Sequence, residues 1–84
     1  MTNDQIENFL VQKKLDKSPV QINFRNRNSI VGLFIQLADF KELKTKNLWR
    51  IVGEQNIEEF KKSNDTSLAR IFNGVEFTRL VVVS

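Results

Sequence analysis

The chain has 84 residues, 40% of them apolar and 27% charged, with a net charge of +3 and neither cysteine nor histidine. One domain is the limit at this length, and such a fold hides only about 60–65% of the surface its unfolded chain exposes, so its stability is marginal without a staple or a partner. The missing Cys and His exclude disulfides, a zinc centre, thiol chemistry and imidazole acid/base catalysis; the chain is read as non-enzymatic, with no cofactor and no metal.

Charge is unevenly spread: residues 1–12 carry −2, residues 13–50 carry +6 and residues 51–84 carry −1. A basic middle suits a polyanionic partner. The opening residues Asn3, Asp4, Gln5 and Glu7 differ from the basic start and apolar run of a secretory signal, which makes the cytoplasm the expected location. The longest apolar runs, residues 30–35 and 80–83, fall far short of the roughly 20 residues of a membrane span, so no membrane partner is expected.

Residues 2–15 predict a helix. Thr2 and Gln5 have capping-box spacing, Asp4 and Glu7 suit the positive end, and Lys13, Lys14 and Lys17 suit the negative end. Ile6, Phe9 and Leu10 form an apolar stripe at helical spacing, with Leu15 near its end. Pro19 forces Ser18 into an extended conformation and closes the helix. From Val20 the period becomes two: Val20, Ile22 and Phe24 alternate with polar residues as in a half-buried strand, and Asn26, Arg27 and Asn28 form the turn of a hairpin. Residues 29–40 read as a long apolar strand, bent or closely approached by another backbone at Gly32. A loop over 41–46 leads to a third strand at 48–52, a break at 53–56 and a piece at 57–62 that fits either one helical turn or a hairpin extension. Residues 63–66 read as a turn. A fourth strand at 68–72, a tight Asn73-Gly74 turn and a fifth strand at 75–83 complete the chain. Val and Ile number 15 against two Ala, which favours strands after Pro19. The reading is mainly β, one domain over 1–84: an N-terminal α-helix and five short antiparallel strands in a small, strongly bent barrel of the SH3-like or OB type.

Two segments resemble the Sm-like family, including its bacterial Hfq-type members. The first, PVQINFRNRNSIVGLFIQLADF, has the alternating strand, turn, glycine (Gly32) and aspartate (Asp39) of the first family motif, with Asp39 one residue late; Asn47 and Leu48 follow after a few extra residues. The second, ARIFNGVEFTRL, has Gly74 with Phe77 and Leu80 at the offsets of the second motif, but Asn73 stands where the family carries a basic residue. The resemblance covers about residues 2–83. It implies an Sm-like barrel and a homo-oligomeric ring of five to seven copies, closed by pairing the fourth strand of one copy with the fifth of the next, that binds single-stranded RNA.

By the same resemblance, Phe40 is the base-stacking candidate, or else a cover over one end of the barrel. Asp39 orients its loop or is a solvated turn residue. Asn47 contacts a base edge or merely starts a strand. Asn73 keeps a donor and an acceptor without the cation, and Gly74 supplies turn geometry. Lys13, Lys14 and Lys17 resemble the rim cluster of the Hfq-type members, or complement the helix dipole. Apart from the resemblance, Arg25 and Arg27, as exposed cations flanking the hairpin, are phosphate candidates or hold nothing, and Lys41, Lys44 and Lys46, extra residues in their loop, are read as a phosphate funnel. The leading expectation is a non-catalytic RNA-binding ring with a chaperone-like action. The alternative is a barrel of the same fold that serves as a structural or protein-interaction module and has lost RNA binding.

Overall fold

The computed structural model describes residues 1–13 and 18–83, apart from the Lys13 side chain. The expectations for Lys14, Leu15 and Lys17, and for the Lys13 side chain, lie outside the described residues.

The helix α1 (Asn3–Lys13) begins at the expected capping box. The Gln5 backbone N–H donates to Thr2 Oγ1 (3.2 Å) and the Thr2 N–H donates to Gln5 Oε1 (3.0 Å), which satisfies two amides that the first turn would leave without partners. Ile6 is fully buried, and Phe9 and Leu10 pack beside it against the core.

Five strands follow: β1 (Val20–Phe24), β2 (Ile30–Ile35), β3 (Leu48–Gly53), β4 (Ala69–Asn73) and β5 (Phe77–Val82). They form one antiparallel sheet in the order β4-β3-β2-β1-β5, with a register shift between Asn23 and Phe24 where β1 meets β5. The strands β4 and β5 are neighbours in the chain yet occupy opposite edges of the sheet. Only residues Gly74–Glu76 join them, in a 3₁₀ turn. A turn of that kind advances about 6 Å, whereas the outer strands of a flat five-stranded sheet stand about 19 Å apart. The sheet must therefore curl until its edges approach, which leaves a seam between β4 and β5. This corrects the expected Asn73-Gly74 hairpin turn: no glycine has positive φ, and the two strands the turn joins do not pair.

The concave face holds the main core of Ile6, Val20, Ile22, Phe34, Trp49, Ile51, Phe77 and Leu80. Phe34 and Phe40 meet Trp49 edge-on, with ring centroids 6.1 and 5.9 Å away. Gly32 lies where β2 crosses β3 closely, as expected: a Cβ there would overlap Ile51 Cγ2 and press on the Val52 carbonyl. The outer face carries a second cluster, Leu33, Ile35, Val52 and Ile57, roofed by the helix α3 (Ile57–Ser63) through Ile57 and Phe60. This settles the segment at 57–62 as helix, ended by Asn64 in the left-handed conformation (φ 55°).

Two further expectations are corrected. The strand expected over 29–40 ends at Ile35, and the loop expected over 41–46 is mostly a short helix, α2 (Phe40–Thr45). Phe40 opens this helix and packs on the main core, while Leu37, just before it, packs on the outer cluster, so the segment turns round the end of the sheet between the two.

Candidate nucleic-acid interface

Of the residues that the family resemblance singles out, Asp39, Phe40, Asn47 and Gly74 lie at or beside the α2–β3 junction, where they are engaged inside the protein. Asn47 adopts positive φ (57°), which an asparagine tolerates better than other non-glycine residues. Its Nδ2 donates to the Met1 carbonyl (2.9 Å), and its Oδ1 accepts the Trp49 indole N–H (2.8 Å). Its backbone carbonyl accepts the Gly74 N–H at 2.8 Å. Gly74 is buried in this box, and a Cβ there would overlap Asn47 Oδ1 and Ile6 Cδ1.

Asp39 faces Arg50 of β3 in a two-pronged pair, with Arg50 Nη2 and Nε at 2.6 and 3.4 Å from the two carboxylate oxygens. The hydrogen bond from Arg50 holds the Asp39 carboxyl below its ordinary value and, reciprocally, raises the guanidinium's. Phe40 is half-buried against Trp49. Of the three lysines expected to form a funnel, Lys44 pairs with Glu7 (2.5 Å) and Lys46 with Glu42 (3.6 Å), while exposed Lys41 has no ion pair among the described residues. Paired lysines present little net charge to a phosphate.

A different surface combines exposed charge with aromatic rings. It runs between the hairpin tip after β1 and the strand β4, as a groove of about 440 Å³ lined by Phe24, Asn26, Arg27, Arg70, Ile71, Phe72 and Asn73, with Glu76 as its acidic member. Register explains the arrangement. Phe72 and Arg70 lie opposite Trp49 and Ile51 of β3 and so share the concave face, while Ile71 points outward opposite Arg50. Phe72 reaches Phe24 (6.0 Å between centroids), which in turn meets buried Phe77 edge-on at 5.4 Å. The Arg27 guanidinium sits 4.9 Å from the Phe24 centroid and 6.0 Å from that of Phe72, within cation–π range of both.

Arg27 and Arg70 are exposed and make no ion pair among the described residues. Both also line an adjoining groove of about 420 Å³ that passes Ser29, Gln55 and Asn56. The result is a continuous track carrying two arginines and two half-buried rings, with Glu76 in the first groove and Glu54 in the second as its acidic members. Of its residues, sequence reading named Arg27 and Asn73; it missed Arg70, Phe24, Phe72 and Asn26 as site residues. The Arg-x-Phe alternation in ARIFN was the available signal. Arg25 stands just outside, where its N–H donates to the Glu76 carbonyl (3.1 Å) and ties β1 to the turn before β5.

Among the described residues no three His, Cys, Asp or Glu side chains are grouped as metal ligands, and no helix is long and apolar enough to cross a membrane. Comparison of the chain with family models, curated proteins and solved structures finds no match.

Proposed function

We propose that this is a non-catalytic, Sm-like protein that binds single-stranded RNA as a homo-oligomer in the cytoplasm. The observation that carries the reading is the groove in which Arg27 and Arg70, which make no ion pair among the described residues, lie with the Phe24 and Phe72 rings. Arginines offer guanidinium forks to backbone phosphates, and half-buried rings offer stacking surfaces that accept any base. Asn26 and Asn73 bring amide donors and acceptors to the same groove. With neither Cys nor His in the chain, holding a ligand suits these residues better than transforming one.

Ring assembly draws support from the sheet's two unpaired edges. Each carries an exposed apolar side chain, Ile71 (48% exposed) on β4 and Val82 (42% exposed) on β5. Open edges of this kind pair with another chain unless they are blocked. Joining β4 of one copy to β5 of the next in a closed ring of five to seven copies would cover both edges and repeat the groove around the assembly. RNA would then be held by many weak contacts, with affinity falling steeply as salt rises.

The protein-interaction module is a second reading, favoured by one observation: both polar atoms of the Asn47 side chain are engaged internally, so the position matching the family's base-reading asparagine serves the fold. Fluorescence anisotropy with oligo-U and oligo-A at low and moderate salt separates the two. Salt-sensitive binding supports the RNA reading, and no binding at low salt leaves the module. Native mass spectrometry tests the ring, which a monomer at micromolar concentration would contradict.

A further inference from the structure

Asn73 is followed by Gly74, the residue that least obstructs attack by a backbone nitrogen on an asparagine side chain. In an unconstrained chain the Gly74 nitrogen, having lost its proton to base, adds to Asn73 Cγ and expels ammonia. A five-membered succinimide results. Water then opens the ring at either carbonyl: cleavage of the Cγ–N bond leaves an aspartate at position 73, and cleavage of the backbone C–N bond leaves an isoaspartate whose main chain runs through the side chain. No oxidant or reductant takes part.

The fold opposes the first step at each of its requirements. The Gly74 proton is donated to the Asn47 carbonyl at 2.8 Å, and the residue is buried, so hydroxide cannot reach the proton while the turn is closed. The Asn73 carboxamide is held by its Oδ1, which accepts the Val75 N–H at 3.0 Å and caps the 3₁₀ turn. Attack therefore requires the turn to open locally, breaking both bonds. Asn73 itself is exposed and lines the groove with Arg27 and Arg70.

We infer that Asn73–Gly74 is a conformationally gated deamidation site: the closed turn suppresses the reaction, and each opening permits a slow, one-way conversion of the groove. The two products act differently. An aspartate keeps the oxygen that caps the turn, so the fold persists while a carboxylate joins Glu76 beside the two arginines. Isoaspartate lengthens the backbone by one atom and displaces Gly74 from its box. The effect on polyanion binding rests on the RNA reading above, whereas the gating does not.

The test follows the full-length chain over weeks at mildly alkaline pH, folded in buffer and unfolded in urea, by peptide mapping for the product about 1 Da heavier at position 73. The gate predicts conversion at least about tenfold slower in the folded chain. Equal rates overturn it, as does the absence of conversion in urea. In a separate arm, Asn73→Asp is compared with wild type for oligo-U binding at low salt. The expected loss is about three- to tenfold, since one negative charge offsets one of the groove's cations. Unchanged binding by Asn73→Asp overturns the effect on the groove. If wild type binds no RNA, the RNA reading fails while the mapping still decides the gate.

Discussion

Asn47 sets the α2–β3 junction, and its replacement by alanine has a cost that can be worked out from the structure. The substitution removes the acceptor of the Trp49 indole N–H, and because Trp49 is only 2% exposed no water replaces it. A buried donor left without a partner costs about 1–3 kcal/mol. Loss of the Nδ2 bond to the Met1 carbonyl costs about 0.5–1.5 kcal/mol, and holding alanine at φ 57° costs about 1 kcal/mol more. These terms share one site and do not simply add, so the expected loss is about 2–4 kcal/mol. A chain of this length has a total of about 4–13 kcal/mol. Asn47→Gly relieves the backbone term and is expected to be about 1 kcal/mol less damaging than Asn47→Ala. Urea unfolding followed by the fluorescence of Trp49, the chain's single tryptophan, measures both variants directly. An Asn47→Ala protein within about 0.5 kcal/mol of wild type, with an unchanged denaturant slope, would refute this account of the junction.

Two further outcomes are expected. The Asp39 carboxyl titrates below its ordinary 3.8 because Arg50 hydrogen-bonds it, so the native state binds fewer protons than the unfolded chain in that region; the resulting stability is present above about pH 4 and is lost as pH falls through the lowered native value. The stability gap between wild type and Asp39→Asn should therefore narrow in acid denaturation series below pH ~4, and parallel curves would sink the assignment. Ile71→Lys places a charge on the free β4 edge and is expected to shift assemblies toward monomer in native mass spectrometry with no change in circular dichroism; an unaltered assembly would remove β4 from the interface.

The parts of the fold that local chemistry controls were legible in the sequence. The Thr2–Gln5 spacing predicted a capping box that forms with both bonds, Val20 and Ile22 alternated as buried strand residues do, and Gly32 marked a close strand crossing. Two of the three failures depended on distant parts of the chain. Asn73-Gly74 reads locally as a hairpin turn, but pairing of β1 with β5 places β4 and β5 on opposite edges, and the turn crosses the seam of the curled sheet. The helix α2 was hidden because Leu37 and Phe40 continue the apolar run of β2, which extended the strand signal past its end. The groove was illegible because distant segments build it. Phe24 and Arg27 belong to the first hairpin, Arg70 and Phe72 to the fourth strand, and only the curl of the sheet brings them together.

The functional proposal rests most directly on Arg27 and Arg70. Anisotropy titrations of oligo-U and oligo-A with wild type and with the Arg27→Ala/Arg70→Ala double variant, at two salt concentrations, measure their contribution. Two lost phosphate contacts should weaken binding about tenfold or more at low salt and reduce the salt dependence by about two counterions, with little change in unfolding midpoint because both side chains are exposed. Binding by the double variant equal to wild type, with the same salt slope, would contradict the groove as the RNA site.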